Sequence, residues 1–217
     1  MRLVFFGPPG SGKGTQAIRL SEKMGLPHIS LGDMLRMEIS QQTEIGKKIK
    51  SFMDEGKLVP DSITIELTKV RIQQPDCQNG FIVDGFPRSL AQADAFEQML
   101  KDLKINLDHV VYFQIPVDLV VERLCGRVSC PKCGAVFHLT YNPPKKDGIC
   151  DRCSAQLIQR TDDNERSIRT RFEVYENQTK PLLERYKNSG LLATLDAGQP
   201  IDNVFKDLLK LVGHGGN

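Results

Sequence analysis

The sequence predicts an α/β fold in which a central parallel sheet is flanked by helices. Short apolar runs that suit buried strands alternate with longer segments whose apolar residues recur at helical spacing. The first run, residues 3–6, is too short for a helix and ends at glycine, as expected of a strand covered on both faces. Strands that alternate with helices in this way pair in parallel and need helices on both sides of the sheet.

Four strands are predicted for this sheet. They are residues 3–6, 81–84, 109–113 and 191–195. Residues 25–30 are predicted to form a turn followed by a brief extended stretch.

The predicted helices lie between these strands. Ser30 or Asp33 is expected to cap a helix that carries Met34, Leu35 and Ile39, and Asp202 is expected to cap the last helix. The longest helical pattern starts under an acidic turn at Asp162 and Asp163. This longest helix is predicted over 164–188. The other predicted helices cover 14–24, 43–55, 61–73, 89–103, 116–126 and 202–212.

The composition is that of an ordinary globular protein. Of the 217 residues 40% are hydrophobic and 26% are charged, and the net charge is only +2. A nearly balanced charge gives no reason to expect a nucleic-acid or membrane partner. No apolar stretch approaches the ~20 residues that span a bilayer, and the first apolar run is too short for a signal peptide. A cytoplasmic protein with reduced cysteines is therefore expected.

A glycine-rich loop follows the first strand. Gly7-x-x-x-x-Gly12-Lys13 matches the loop whose backbone N–H groups surround nucleotide phosphates, and the N-terminus of the following helix adds to the same anion site. The hydroxyl that usually follows the lysine is displaced by one residue, because Gly14 precedes Thr15. The alternative, a strand-to-helix turn without a ligand, is disfavoured because strand, glycines, lysine and helix all occur together.

A carboxylate ends the second predicted core strand. Asp84 lies at the carboxyl end of that strand, where open α/β sheets place their ligands. In phosphate-loop proteins such a carboxylate holds Mg²⁺, directly or through water. The competing interpretation is a cap for the helix that begins near Ser89.

Four cysteines have the spacing of a zinc site. Cys130, Cys133, Cys150 and Cys153 form a C-x₂-C-x₁₆-C-x₂-C pattern that presents four thiolates. Four protein ligands leave no open coordination position, so the expected Zn²⁺ is structural. Disulfides and a redox role are the weaker alternatives, and the two remaining cysteines, Cys77 and Cys125, are predicted to be core thiols.

Six arginines are predicted at junctions between the core and two inserted segments. Solvated surface charge is the alternative for any one of them, but together they suit clamps on phosphoryl oxygens. A phosphate acceptor needs no general base, since its second pKa near ~6 leaves it mostly dianionic, and this favours a nucleoside monophosphate. The six are Arg36, Arg88, Arg123, Arg127, Arg160 and Arg171.

Four motifs in order resemble the adenylate kinase family in its zinc-bearing, long-lid bacterial form. They are Gly-Pro-Pro-Gly-Ser-Gly-Lys-Gly-Thr (7–15), Gly-Asp-Met-Leu-Arg (32–36), Asp-Gly-Phe-Pro-Arg (84–88) and Arg-Thr-Asp-Asp-Asn-Glu (160–165). The match extends from residue 1 to about 212. It implies a monomeric enzyme that converts ATP and AMP into two ADP with Mg²⁺.

The resemblance also implies the domain organisation. The fold would be that of a P-loop NTPase, with a core formed by residues 1–29, 60–126 and 165–217. The small paired helices at 30–59 already indicate an inserted lobe, which would bind AMP, and residues 127–164 would form a zinc-stabilised lid.

Site residues follow from the resemblance, position by position. The residues that would bind ATP are Gly10, Ser11, Gly12, Lys13, Gly14, Thr15, Arg123, Arg127, Val136, Phe137 and Gln199. Those that would bind AMP are Leu31, Arg36, Lys57, Leu58, Val59, Gly85, Phe86, Pro87, Arg88, Gln92, Arg160 and Arg171. The catalytic group would be Lys13, Asp84, Arg88, Arg127, Arg160 and Arg171.

Two positions depart from the family pattern. Leu31 stands where threonine is common, and Val128 stands where a second arginine often follows Arg127.

The rival functions are a kinase for UMP or GMP, a nucleic-acid-binding ATPase with a zinc ribbon, and a nucleotide-sensing module without catalysis. The second would need a basic stripe with exposed aromatic residues, for which Lys145, Lys146 and Tyr141 are too few.

Overall fold

Five parallel strands form the central sheet in the computed structural model, which describes residues 1–213. The strands are β1 (Arg2–Phe6), β2 (His28–Ser30), β3 (Phe81–Asp84), β4 (His109–Gln114) and β7 (Leu192–Asp196). Their order across the sheet is β2-β3-β1-β4-β7. The predicted fold class is confirmed, while the last four residues of the predicted core segment 165–217 lie outside the described residues.

Helices cover both faces of this sheet. The α-helices of residues 1–213 are α1 (Lys13–Met24), α2 (Leu31–Ser40), α3 (Glu44–Asp54), α4 (Asp61–Ile72), α5 (Leu90–Asp102), α6 (Val117–Cys125), α7 (Glu165–Val174), α8 (Leu182–Asn188) and α9 (Ile201–Leu211). Of the two proposed caps before α2, Ser30 is the one used, since its hydroxyl accepts from Asp33 N at 3.3 Å. Asp202 does not cap α9, because that helix begins one residue earlier, after Pro200.

The alternation along β1 explains why two cores form. Leu3 and Phe5 point to the face covered by α1 and α9, whereas Val4 and Phe6 point to the opposite face. All four side chains are at most 2% exposed. A strand with apolar residues at every position is stable only when both faces are covered, and this is the arrangement observed.

The single helix predicted over 164–188 is wrong in one respect. The helix turns into a π-helical segment at Tyr175–Thr179, and α8 begins only after Pro181. Lys180 N donates to Tyr175 O at 2.8 Å, five residues back rather than four. Proline has no N–H and its ring collides with the carbonyl four residues earlier, so a regular helix cannot continue through Pro181. Hydrophobic periodicity does not register such a wider turn.

A small antiparallel pair lies in the segment with the clustered cysteines. Strands β5 (Arg127–Ser129) and β6 (Val136–His138) pair with each other and enclose a minor apolar cluster that includes Phe137 and Leu157. Val128, which stands where the resemblance would often place an arginine, packs against this cluster and so supports the fold of the segment. Of the two cysteines predicted to be core thiols, Cys77 is buried but Cys125 is exposed, so that prediction is wrong for Cys125.

Within residues 1–213, no helix is both long enough and apolar enough to cross a membrane.

A close contact between α2 and α3 yields a test of packing. Gly46 lies on the buried side of α3, and a Cβ built there would be 2.1 Å from Glu38 O in the backbone of α2. At an exposed helix position, Gly→Ala stabilises by about 1 kcal/mol. At Gly46 the clash with a backbone atom reverses the sign, and we expect Gly46→Ala to lower the free energy of unfolding by about 1–3 kcal/mol. Urea denaturation checks this, with Ser51→Ala on the exposed side of α3 as the control, expected within about 0.5 kcal/mol of the wild type. A stabilised Gly46→Ala variant would contradict the close packing of the two helices.

Candidate active site

A large cleft lies at the carboxyl ends of the parallel strands. Its volume is about 580 Å³, and residues that follow β1 and β3 form its floor. β1 pairs with β3 on one side and β4 on the other, so the sheet order changes direction here. Open α/β sheets bind their ligands at such a switch point.

The loop between β1 and α1 surrounds one end of the cleft. Gly10 and Gly12 have φ values of 79° and 85°, which L side chains rarely adopt, and a Cβ at Gly10 would be 2.9 Å from Val120 O. Gly12 is the N-cap of α1, so the positive end of that helix points into the loop. The backbone thus has the conformation and the field that phosphate groups require.

Lys13 is the first residue of α1 and turns back over this loop. Its Nζ donates to Gly7 O at 2.8 Å, to Pro8 O at 2.9 Å and to Ser11 Oγ at 3.3 Å. Burial lowers the pKa of Lys13 to about 8, although Asp84 acts in the opposite direction. The amine is therefore held at the loop by acceptors that an anionic ligand can replace.

The space beside Asp84 explains the glycine after the lysine. A Cβ at Gly14 would lie 3.3 Å from Asp84 Oδ2, tighter than most contacts of that kind. Burial favours the neutral acid, yet His28, Lys13 and Arg88 outweigh it and hold the pKa of Asp84 below its ordinary value. An ionised carboxylate next to the phosphate loop, with room kept open by Gly14, suits the oxygen-donor chemistry of Mg²⁺.

Two arginines from separate segments share one buried carboxylate. Asp163, whose side chain is fully buried, accepts from Arg127 Nε at 2.7 Å and also pairs with Arg127 Nη2. Arg171 Nη1 lies 3.1 Å from an oxygen of Asp163 and 3.1 Å from an oxygen of Asp162. Burial lowers the pKa of Arg171 to about 10, with Asp162 opposing the shift. These carboxylates fix both guanidinium groups at the edge of the cleft.

A second cluster of the same kind lies near α2. Asp33 accepts from Arg36 Nη2 at 2.6 Å and is 3.7 Å from Arg160 Nη2. Arg160 also donates from Nε to Ser129 Oγ at 3.0 Å, and burial lowers its pKa to about 9. The cluster therefore connects α2 with the end of the cysteine segment.

The cleft has a strong excess of positive charge. Its lining contains eight lysine and arginine side chains but only three aspartates. The partly compensated cations around a low-dielectric cleft make a site for a ligand with several negative charges.

The loop after β3 also lines the cleft. Arg88 donates from Nε to Gly85 O at 2.7 Å, and its carbonyl accepts from Thr179 Oγ1 at 2.9 Å. Burial lowers the pKa of Arg88. Phe86 packs edge-on against Phe96 with ring centroids 5.5 Å apart, so this loop is anchored in the core. Leu31 is 3% exposed and belongs to the same core.

Every predicted nucleotide-contact residue lies in the lining of this one cleft. Val136 and Phe137 reach it from β6, and Gln199 from the loop before α9. Arg123 donates from Nη1 to Ala197 O at 2.9 Å, so it also supports the loop that carries Gln199. Sequence analysis therefore predicts a set of residues that are close in space, and the role of each one stays a prediction.

The four clustered cysteines meet in the segment 127–164. Their Sγ atoms all lie within 4.8 Å of one another, and two of the separations are 3.4 Å and 3.6 Å. Tetrahedral Zn²⁺ with Zn–S bonds of ~2.3 Å needs sulfur atoms ~3.8 Å apart. The four thiols fit that ion and are too far apart for disulfides.

The carboxylates that hold the arginines were not predicted as site residues. Asp162 and Asp163 suit the acidic turn before a helix, and Asp33 suits a helix cap, so local rules account for all three. Asn164 is the residue that caps α7, and its side chain accepts from Ser167 N at 3.0 Å. Thr179 was missed because the π-helical turn that carries it has no sequence signature.

Comparison with known proteins identifies the relatives of the chain. The family model described as adenylate kinase matches residues 5–191. An adenylate kinase of Caldicellulosiruptor saccharolyticus is 53% identical over 98% of this chain and 99% of its own length. The adenylate kinases of Archaeoglobus fulgidus and Streptomyces coelicolor are both 51% identical to this chain. The first match covers 96% of each chain and the second covers 97% of each. The chain, with its phosphate loop and its arginine-lined cleft, belongs to the adenylate kinase family.

Proposed function

We propose that the chain catalyses the reversible, Mg²⁺-dependent transfer of the γ-phosphoryl group of ATP to AMP, which gives two ADP. The observation that carries this proposal is the convergence of the phosphate loop with arginines from separate segments on one cleft. A site for binding alone needs one polyphosphate cradle. This cleft is lined by the phosphate-loop lysine and by arginines from several segments, as transfer between two phosphate groups requires.

Each cationic group has its own proposed role in binding phosphate groups. The loop from Gly10 to Thr15 holds the phosphates of ATP, and the ammonium of Lys13 moves from its carbonyl acceptors to the β and γ oxygens. Arg36 and Arg88 hold the phosphate of AMP. Arg127, Arg160 and Arg171 neutralise charge on the transferred group, where a planar fork of donors binds oxygens bidentately.

The transfer itself needs no protein base. An oxygen of the AMP phosphate forms the new bond to the γ-phosphorus, and the bond to the bridging β–γ oxygen breaks. The electron pair stays with the departing ADP, and no proton moves, because the acceptor is already a dianion at neutral pH. The task left to the protein is positioning and charge stabilisation.

Asp84 is the residue that would hold Mg²⁺, directly or through water, and the Thr15 hydroxyl in the first turn of α1 would be a second oxygen donor. When bound, the ion supplies positive charge to the phosphate oxygens of ATP. The depressed pKa of Asp84 keeps the carboxylate ionised and able to serve.

Residues 30–59 would form the AMP lobe and residues 127–164 the lid. The two segments contact each other, and the lid segment also contacts the core, as expected of segments that cover the cleft. Thr161 Oγ1 donates to Asp54 Oδ1 at 3.0 Å, Arg152 pairs with Glu22, and the Tyr141 hydroxyl donates to Glu122. Covering the cleft keeps water from the γ-phosphoryl group, which would otherwise be hydrolysed.

We also propose that the enzyme works as a monomer in the cytoplasm without nucleic-acid or membrane partners. The balanced net charge of +2 and the cleft formed within a single chain support this.

The first experiment measures ADP formation from MgATP with AMP, CMP, UMP and GMP offered separately. We expect rapid turnover with AMP and little with the others. ATP alone is the hydrolysis control. Preference for another monophosphate would show that AMP is not the acceptor. Hydrolysis of ATP without any acceptor would contradict phosphoryl transfer to a nucleotide.

Arg88→Ala tests the transition-state role of that arginine. Loss of a guanidinium that stabilises the transferred charge lowers kcat by about 10³- to 10⁵-fold. Steady-state kinetics with varied AMP and saturating MgATP separates kcat from KM. Arg169→Ala is the control, because the Arg169 side chain is 74% exposed on α7 and pairs only with Glu165 among the described residues. A loss confined to KM would show that Arg88 binds AMP without stabilising the transition state.

Cys130→Ser tests the structural metal. Removing one thiolate weakens the Zn²⁺ site and the small apolar cluster built around it. We expect the melting temperature to fall by about 5–10 °C, while kcat at 25 °C changes much less. Calorimetry and metal analysis provide the readout, with Cys125→Ser as the control because that thiol is exposed and outside the cluster. Unchanged melting combined with lost turnover would contradict a structural role.

A further inference from the structure

A hydrogen-bond network behind the cleft joins the first turns of α4 and α5. Asp61, the first residue of α4, accepts from Gln92 Nε2 at 2.6 Å through Oδ1 and from Ser89 Oγ at 3.0 Å through Oδ2. Gln92 also accepts from Arg88 N through Oε1 at 2.7 Å. Among the described residues, Gln92 belongs to the lining of the cleft and Asp61 does not.

The two partners of Gln92 fix the direction of its amide. A carboxylate only accepts hydrogen bonds, so Asp61 must face the nitrogen of the amide. A backbone N–H only donates, so Arg88 must face the oxygen. Turning the amide over would place oxygen against oxygen at Asp61 and N–H against N–H at Arg88. Gln92 is 1% exposed, so water does not relieve either contact.

The fixed direction of the amide limits which nucleobase can form hydrogen bonds with Gln92. After the two protein bonds, the amide keeps one N–H and one oxygen lone pair for a ligand. Adenine offers a donor at N6 and an acceptor at N1, whereas a 6-oxopurine offers an acceptor at O6 and a donor at N1. The two bases thus present opposite orders, and an amide that cannot turn over matches only one of them.

We propose that Asp61 sets the base selectivity of the acceptor site, by locking Gln92 in the orientation that accepts an adenine and rejects a 6-oxopurine. The inference rests on the proposed function, since it concerns the acceptor of that reaction. Asp61 is a positioning residue that acts through Gln92 and does not contact the substrate.

Two variants remove the lock in different ways. Asp61→Ala deletes the acceptor, so nothing opposes the amide oxygen on that side. Asp61→Asn keeps the volume and can offer either an acceptor or a donor, so it no longer enforces a direction and still fills the space if the alanine variant does not fold. Asp118→Ala is the control, because Asp118 is an exposed acidic residue in the first turn of α6, and its loss reproduces the effect on helix charge alone.

The readout is kcat/KM for AMP divided by kcat/KM for GMP, each with saturating MgATP. A correctly directed bidentate contact discriminates between bases by about tenfold or more, so we expect Asp61→Ala to lower this ratio about tenfold. Asp61→Asn should lower it by a smaller factor, on the order of threefold, because one hydrogen bond is retained. The change should appear mainly in KM for AMP, with kcat nearly unchanged, and Asp118→Ala should leave the ratio as in the wild type.

A double-mutant cycle tests whether Asp61 acts through Gln92. In the Gln92→Ala background, the Asp61 substitutions should change the ratio by less than about twofold, because the group that they orient is gone. An equal change in both backgrounds, or an unchanged ratio in Asp61→Ala and Asp61→Asn, would overturn the inference while AMP turnover by the wild type upholds the proposed function. Absence of AMP turnover in the wild type would overturn both.

Discussion

Burial of several guanidinium groups around one cleft is the constraint on which the site depends. Like charges in a low-dielectric cavity repel each other, and burial lowers the pKa of Arg160 to about 9 and of Arg171 to about 10. The chain meets this constraint with carboxylates that are themselves buried, Asp163 most of all. A buried ion pair adds little net stability, but it fixes geometry, and geometry is what phosphoryl transfer needs.

The same constraint explains why the cleft connects segments that are distant in sequence. Asp33 in α2 contacts an arginine of its own helix and lies near Arg160 from the end of the cysteine segment. Asp163 holds Arg127, the first residue of that segment, and Arg171, which lies beyond its end. If these arginines bind nucleotide phosphates as proposed, the ligand would compete for the same donors. Nucleotide binding would then be coupled to the positions of these segments through shared charges.

The sequence predicts those features that depend on local pattern combined with a parallel sheet. Lys13 and Asp84 follow strands, and parallel strands bring their carboxyl ends to one edge, so both were expected at the same cleft and are found there. Long-range pairings have no comparable signal. Asp162 and Asp163 look like helix-start residues in sequence, although in space they bind arginines. The π-helical turn before Pro181 and the exposure of Cys125 were not predicted either. Hydrophobic periodicity averages over single residues and does not report such local departures.

Two carboxylates behind the cleft orient lining side chains by the same chemistry, although the groups that they orient differ in charge. A carboxylate accepts hydrogen bonds but donates none, so whatever faces it must present N–H. At Asp163 this property orients cationic guanidinium groups, and at Asp61 it orients the neutral amide of Gln92. Charge stabilisation tolerates small rotations of an arginine, since every edge of that group donates. A neutral amide exchanges its donor and its acceptor when it turns over. Recognition of the nucleobase of the acceptor nucleotide is therefore the property of this site that would be most sensitive to a single carboxylate outside the lining.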